Sequence, residues 1–382
     1  MALSRRAFVR TLGAGSAFTA AMMAGRGHEA LGAFFPAGFV PTLHADAGPI
    51  RLDSNENPNG PCQASIDAIR GAFGEACRYP DIGPAELLQA IAKHHQVAPE
   101  NVLLGSGSGE ILRMAAFAFT TAGRPLVQAT PTFESPARDA ELIGTPIVSI
   151  PVDASLRLDL TAMAARSGGA GLVFLCNPNN PTSTVHGAAA VSQFIFQVLK
   201  VSPATCILVD EAYHEFVDDP GYRTALPLAL ENPQIIVSRT FSKVYGMAGL
   251  RVGYAIAHAD TIKSMSRFRI ANNVNVLGAA AAIAALPQKE HVARQVTLNR
   301  EAREFTRRAF TDAGYKVAAS EANFVMVEIR RDAKAFQEAC KLRGVLVGRP
   351  FAPLTTHARI SIGTMDEMRQ ALDIVRTVLA RA

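Results

Sequence analysis

Short apolar runs alternate with longer helical stretches between about residue 101 and residue 287. Two runs, Gly171–Leu175 and Cys206–Val209, are continuously apolar, which is typical of strands buried on both faces. An apolar helix is predicted over Ser108–Phe119. The remaining predicted strands in this part are Asn101–Leu104, Leu126–Gln128, Pro146–Ile150, Ile235–Ser238 and Val252–Ala257. Strands that alternate with helices predict an α/β fold with a large, mostly parallel sheet flanked by helices.

The pattern changes after residue 287 and predicts a smaller α+β domain. A long charged helix over Lys289–Ala313 precedes Gly314, and a final helix begins at Met365. Between them we predict a helix over Asp332–Leu342. The predicted strands there are Phe324–Glu328, Val345–Val347 and Ala358–Ile362. The predicted divisions are an N-terminal segment 1–47, an arm with helices 48–100, a large domain 101–287 and a small domain 288–382.

The N-terminus resembles a twin-arginine export signal. A charged start, Ser4–Arg10, contains Arg5 and Arg6 and precedes a weakly apolar stretch, Leu12–Gly25. That stretch is too short to span a bilayer, which needs roughly 20 apolar residues. We therefore expect export to the periplasm, with cleavage after Ala47 or nearer Gly32, and no stable membrane anchor.

Charge and cysteine content narrow the classes of function. The net charge is only +5, from 38 basic and 33 acidic residues that are scattered along the chain. A nucleic-acid surface normally shows a basic stripe with interleaved aromatic residues, so none is expected. The five cysteines are widely spaced and form no CxxC pair, which argues against a structural zinc site.

Candidate chemistry follows the predicted strands, at the sheet edge where open α/β folds bind ligands. The glycine-rich loop Gly105–Glu110 opens a helix, and such loops bind phosphate through backbone amides, although this one is neither a GxGxxG nor a Walker motif. Two Asn-Pro steps in Cys176–Thr182 predict an extended turn that presents an asparagine amide. Either stretch alone could be a plain turn.

Two ionisable residues stand at the ends of the next strands. Asp210 follows an apolar strand, and a carboxylate there is costly unless it meets a cation, such as a pyridinium, a basic side chain or a metal ion. Lys243 is flanked by hydroxyl groups and glycines, which suits a lysine that forms a Schiff base, although a surface lysine is the alternative. Arg251, eight residues on, can return to the same phosphate.

These four stretches, in this order, resemble the fold-type I, class I/II pyridoxal-phosphate (PLP) aminotransferases. They are most similar to the histidinol-phosphate aminotransferase family, and the similarity runs from residue 52 to residue 364. The other matching stretches are Leu52–Pro58, Arg78–Asp81, Pro131–Phe133, Asp210–Tyr213 and Arg359–Thr364.

The resemblance implies a role for each residue around the cofactor. Lys243 would hold PLP as a Schiff base and move the substrate proton, and Asp210 would pair with the ring nitrogen. Tyr213 and Asn180 would bond the ring 3′ oxygen, and Phe133, where the family often has tyrosine, would stack on the ring. The cofactor phosphate would be held by Ser108, Gly109, Thr240, Ser242 and Arg251. Tyr79 would reach that phosphate from a neighbouring subunit, so a homodimer is expected.

Substrate binding is implied for three residues. Arg359 would clamp the substrate carboxylate, Arg349 would meet a distal phosphate, and Asn57 would also contact the substrate. Two positions depart from the family pattern: Asn59 stands where tyrosine is usual, and Ser183 follows Thr182 where glycine is usual. The donor therefore stays open between histidinol phosphate and an aromatic or other amino acid.

The expected activity is a ping-pong transamination between an amino donor and a 2-oxo acid. Two alternatives remain at this point. One is a PLP-dependent decarboxylase of a phosphorylated amino acid, which would share the cofactor contacts. The other is a non-catalytic ligand-binding protein that uses only the Gly-Ser loop.

Overall fold

The computed structural model describes residues 48–380 of the chain. Within that range the large sheet has seven strands, which are β2 (Val102–Ser106), β3 (Leu126–Thr130), β4 (Ile147–Pro151), β5 (Leu172–Cys176), β6 (Cys206–Asp210), β7 (Ile235–Thr240) and β8 (Val252–Ala257). Their order across the sheet is β2-β8-β7-β6-β5-β3-β4. All neighbours are parallel except β8, which is antiparallel to both β2 and β7. The predicted α/β class with a mostly parallel sheet is confirmed.

Alternation along the central strands explains why helices cover both sides of the sheet. In β5 the side chains of Val173 and Leu175 pack in one hydrophobic cluster, and those of Leu172 and Phe174 pack in another. Successive residues of a strand point to opposite faces, so a continuously apolar strand needs an apolar partner on each side. The helices of this region are α3 (Ser108–Phe119), α4 (Ser135–Glu141), α5 (Leu160–Ala165), α6 (Ala188–Val201), α7 (Leu226–Glu231), α8 (Ala259–Ser266) and α9 (Val276–Ala285).

The C-terminal region contains a small antiparallel sheet. Its central strand β10 (Phe324–Glu328) pairs with β9 (Lys316–Val317) and with β12 (His357–Ser361). The helices here are α10 (Lys289–Asp312), α11 (Ala333–Lys341) and α12 (Met365–Ala380). The α+β character is as expected, while the domain boundary at residue 287 stays a prediction.

The residues before the large sheet contribute two helices and one strand. The helices α1 (Gln63–Ala72) and α2 (Ile82–His95) both contact α9. The strand β1 (Ile50–Leu52) pairs in parallel with β11 (Val345–Val347) of the C-terminal region. This pairing fixes the start of the segment 53–56, which lines the cavity described below.

Backbone pairing corrects several predicted strand ends, including those of β2 and β3, which continue to Ser106 and Thr130. The prediction that β7 ends at Ser238 is wrong by two residues, because its pairing with β8 continues to Thr240, opposite Gly253. The prediction of Ala358–Ile362 is shifted by one residue, since β10 pairs with His357 through Ser361. Side-chain patterns report burial, whereas the partner strand decides where the hydrogen-bonded ladder stops.

The predicted export signal and both cleavage positions lie outside the described residues. Among residues 48–380, no helix combines the length and apolar character that a bilayer span requires.

Candidate active site

The carboxyl ends of the parallel strands open into a cavity of about 650 Å³. The residues that line it come from the large sheet, the segment after β1 and the C-terminal region. Of the sequence-predicted site residues, it gathers Ser108, Gly109, Phe133, Asn180, Asp210, Tyr213, Thr240, Ser242, Lys243, Arg251, Arg349 and Arg359. The cavity is therefore built where the topology of an open α/β sheet favours ligand binding.

Asp210 ends β6 with its side chain almost fully buried. Its Oδ1 accepts a hydrogen bond of 2.7 Å from Ser238 Oγ, and Cys176 Sγ lies 4.0 Å from Oδ2. Burial raises the pKa of Asp210 to about 6, although the Ser238 bond and the nearby Lys243 act in the opposite direction. A cation placed at this carboxylate would favour its charged form.

Lys243 lies just beyond β7 and points its amine into the same cavity. Its Nζ donates to the backbone oxygen of Asn55 over 3.0 Å and lies 5.4 Å from the centre of the Tyr213 ring. Burial, followed by the positive charge of Arg359, lowers the pKa of Lys243 to about 8. The neutral amine, the form that attacks a carbonyl carbon, is thus more populated near neutral pH than in an ordinary lysine.

Tyr213 and Asn180 each have one polar group engaged by the protein. The Tyr213 hydroxyl accepts a bond of 3.1 Å from Asn55 Nδ2. Asn180 Oδ1 accepts a bond of 2.7 Å from Arg359 Nη1, which leaves the Asn180 NH₂ group without a protein partner among residues 48–380. Both residues therefore offer a hydrogen-bond donor to the cavity.

A phosphate-sized cradle lies where α3 begins. Thr240 Oγ1 donates to Ser242 Oγ over 2.9 Å, and Arg251 Nη1 lies 3.4 Å from the same Ser242 oxygen. A Cβ atom at Gly107 would lie only 2.2 Å from Arg251 Nη2, and Gly107 has a φ of 76°. Only glycine therefore lets the guanidinium approach the amino-terminal amides of α3, where anions bind.

The glycine-rich loop before α3 also packs closely against the backbone of β8. A Cβ atom at Gly253 in β8 would lie 2.3 Å from the backbone nitrogen of Ser108. The hydroxyls, the guanidinium and the start of α3 thus converge on one space, and a buried carboxylate and a partly buried amine lie in the same cavity. These residues fit the phosphate, the ring nitrogen and the aldehyde carbon of PLP.

Two arginines of the C-terminal region face the cavity beside one aromatic ring. The guanidinium carbons of Arg349 and Arg359 lie 4.3 Å and 4.7 Å from the centre of the Phe351 ring. Arg349 also forms an ion pair of 2.6 Å with Glu134. Arg359 is buried, which lowers its pKa, and its Nε has no hydrogen-bond partner within the described part of the chain. The region can bind anionic groups of a substrate.

Two predicted site residues lie away from this cavity. Tyr79 is 80% exposed, so its predicted contact with the phosphate of a neighbouring subunit is not made within one chain. Asn57 Nδ2 donates to the backbone oxygen of Val244 over 2.9 Å. Asn57 therefore supports the loop after Lys243 and does not line the cavity, and its predicted substrate contact stays a prediction.

Several residues that line the cavity or contact its lining were not singled out from the sequence. Asn55 bonds Tyr213 and Lys243, and the Phe351 ring lies close to both arginines. Asn55 does belong to the matching stretch Leu52–Pro58, which was the available signal. Glu134 gave no signal, because its partner Arg349 is 215 residues away in sequence.

Asp210 provides a pH-dependent prediction for the cofactor-free protein. Its folded pKa of about 6 exceeds the ordinary value of 3.8, so the folded chain binds more protons than the unfolded chain between these values. The free energy of unfolding should fall as pH rises through this window, by up to about 3 kcal/mol. Asp210→Asn cannot lose a proton and should not show this fall. In urea unfolding, the free energy of unfolding of the variant relative to that of the wild type should therefore increase as the pH rises from about 4 to 7.5. A stability difference independent of pH would contradict the burial of this carboxylate.

Comparison with known proteins agrees with the geometry. The profile of the family described as aminotransferase class I and II matches residues 47–375. The chain is 37% identical over 335 residues to histidinol-phosphate aminotransferase of Moorella thermoacetica, covering 87% of this chain and 86% of that protein. It is 35% identical over 333 residues to aromatic amino acid aminotransferase of Thermobifida fusca, covering 87% and 91%.

A solved structure shows the same similarity in three dimensions. The histidinol-phosphate aminotransferase of Sinorhizobium meliloti, in complex with pyridoxal-5′-phosphate, superposes with a TM-score of 0.80 at 28% sequence identity. The match covers 90% of this chain and 98% of that one.

Proposed function

The chain belongs to the class I and II aminotransferase family, and we propose that its amino donor carries an anionic group remote from the amine, as histidinol phosphate does. The protein is a PLP-dependent aminotransferase that moves an amino group to a 2-oxo acid. The decarboxylase and the non-catalytic ligand-binding protein are not favoured by its relatives.

The residues of the cavity have different roles in this reaction. When bound, PLP supplies an electron sink for the electron pair of the substrate Cα–H bond. Lys243 Nζ is the base that accepts and returns the Cα proton, which its lowered pKa suits. Asp210 holds a proton at the ring nitrogen by its negative charge, and Tyr213 and Asn180 donate to the ring oxygen.

The observation that carries the donor proposal is the pair of arginines in one cavity. Arg359 and Arg349 approach the same Phe351 ring, so two anionic groups on one substrate can each meet a guanidinium. Arg359 is buried and close to Asn180, whereas Arg349 is half-exposed and lies farther out. A donor that ends in a phosphate suits Arg349.

A second candidate donor is an aromatic amino acid. Glu134 already neutralises Arg349, and Phe133 and Phe351 add apolar surface to the cavity. With Arg349 neutralised, an aromatic ring could replace the phosphate. The relative from Thermobifida fusca bears the name of that activity.

The donor can be identified by titrating the purified holoenzyme with histidinol phosphate and with phenylalanine. We expect the visible absorption of the lysine-bound cofactor to bleach with histidinol phosphate at lower concentration, because Arg349 gains a second anionic partner. Lys243→Ala should not show that absorption. Bleaching by phenylalanine alone would overturn the histidinol phosphate proposal in favour of the second candidate.

The variant Glu134→Gln, in the same titration, tests whether Glu134 limits the binding of an anionic group by Arg349. Removing the carboxylate frees Arg349, so half-saturation by histidinol phosphate should occur at up to about fivefold lower concentration, as expected for an exposed ion pair. Half-saturation by phenylalanine should not change. Equal changes for both donors would show that Glu134 does not act on the distal group.

The protein is further proposed to work as a homodimer with Tyr79 acting across the interface. The segment around it exposes Phe73, Tyr79 and Ile82, which are 53%, 80% and 73% exposed, and such apolar exposure marks contact surfaces.

Pairing a Lys243→Ala chain with a Tyr79→Ala chain tests this arrangement. If Tyr79 acts in trans, both defects fall in one site of the heterodimer and the other site is intact. The heterodimer should then bind cofactor at one site with wild-type affinity. Weak cofactor binding at its functional site, like that of the Tyr79→Ala homodimer, would place Tyr79 in its own chain's site.

Export through the twin-arginine route is likewise proposed from Arg5 and Arg6. Substituting both by lysine keeps the charge but changes the motif. The periplasmic fraction of the protein should fall sharply in a bacterium that has this route. An unchanged distribution between periplasm and cytoplasm would contradict the proposal.

A further inference from the structure

Asn55 joins three parts of the chain at the floor of the cavity. It follows β1, is 1% exposed and adopts a left-handed conformation with a φ of 54°. Its backbone oxygen accepts from Lys243 Nζ, its side chain bonds the Tyr213 hydroxyl, and it makes two bonds with Ser361 of β12. Asparagine tolerates this backbone conformation better than most residues, so both the backbone and the amide are suited to the position.

The two bonds with Ser361 determine how the Asn55 amide is oriented. The backbone N–H of Asn55 can only donate, so Ser361 Oγ accepts it at 2.8 Å. The Ser361 hydroxyl proton is then free to be donated to Asn55 Oδ1, which lies 2.7 Å away. With Oδ1 engaged in this way, the Asn55 NH₂ group faces the Tyr213 oxygen at 3.1 Å.

The opposite orientation of the Asn55 amide is disfavoured by the same set of donors and acceptors. It would place NH₂ against Ser361, whose proton would then have no acceptor among residues 48–380. Ser361 is 3% exposed, and a buried donor without an acceptor loses most of its hydrogen-bond energy. The serine therefore selects the orientation in which Asn55 donates to Tyr213.

A hydroxyl that accepts from an amide keeps its own proton for another acceptor. The Tyr213 hydroxyl has no other hydrogen-bond partner in the described part of the chain, and Tyr213 lines the cavity. We propose that Asn55 is a positioning residue that, oriented by Ser361, makes the Tyr213 hydroxyl a donor toward the ring 3′ oxygen of PLP. The proposal rests on the proposed function, since it requires the cofactor in this cavity.

The charges around Tyr213 are consistent with a protonated hydroxyl. Burial raises the pKa of Tyr213 well above its usual value, while the Asn55 bond and Arg359 oppose this rise. Asp210 and Cys176 act in the same direction as burial, and Lys243 lies 5.4 Å from the ring centre. The hydroxyl thus keeps its proton throughout the pH range in which the enzyme can be studied.

Asn55→Asp reverses the direction of this hydrogen bond with little change of shape. Aspartate also tolerates the left-handed conformation, and its carboxylate can still accept from Ser361. It cannot donate, however, so it takes the proton of Tyr213 and turns that proton away from the cofactor. The backbone bond to Lys243 remains available, because it does not involve the side chain.

The readout is the pH at which the visible absorption of the bound cofactor is half changed, measured without substrate. A donor at the ring oxygen favours the anionic oxygen and lowers this midpoint. Asn55→Asp should therefore raise it by about one to two pH units. Ser361→Ala should raise it less, because the Asn55 amide can then take either orientation.

Tyr213→Phe separates the hydrogen bond from the added charge. In that background Asn55→Asp retains only its charge, so its shift should be less than half of the shift in the wild type. Equal shifts in the two backgrounds, or no shift in the wild type, would overturn the role of Asn55 alone. Failure of the wild-type protein to develop the absorption at any pH would overturn the proposed function, and this proposal with it.

Discussion

A buried carboxylate and a partly buried amine in one cavity are the constraint on which the site depends. Asp210 and Lys243 attract each other, yet burial raises the pKa of the acid and lowers that of the amine. Desolvation therefore outweighs their mutual attraction in the cofactor-free protein. A ligand that brings a cation to Asp210 and an electrophilic carbon to Lys243 resolves both costs, which explains why these two groups can persist at adjacent strand ends.

The hydrogen-bond donors of the cavity are oriented by groups outside the large sheet. Arg359 on β12 engages the oxygen of Asn180, and Ser361 on the same strand orients Asn55, which engages Tyr213. Residues 359 and 361 are two apart on one strand, so their side chains lie on the same face. The short strand β12 thus contacts or orients both donors that we propose to face the ring oxygen, although neither donor belongs to the C-terminal region.

Sequence reasoning found the parts of the site that depend on strand ends. Asp210, Lys243 and the loop before α3 could be predicted because an apolar strand and the residue after it are adjacent in the chain. The antiparallel direction of β8 and the extension of β7 to Thr240 could not, because both depend on the partner strand. The Asn55 bonds to Tyr213 and Ser361 join residues 158 and 306 positions apart, and no local pattern reports such contacts.

Cofactor chemistry and donor choice depend on different parts of the chain. The groups proposed to hold the cofactor ring and its aldehyde carbon lie at or beyond the ends of β5, β6 and β7, which are buried at every position. Arg349 and Phe351 come from the loop between β11 and β12, and Glu134 comes from the start of α4. Arg349 and Glu134 are each more than half exposed, so substitutions there cost little stability. Changes in that pair can therefore alter the substrate while Asp210 and Lys243, and the reaction they support, stay the same.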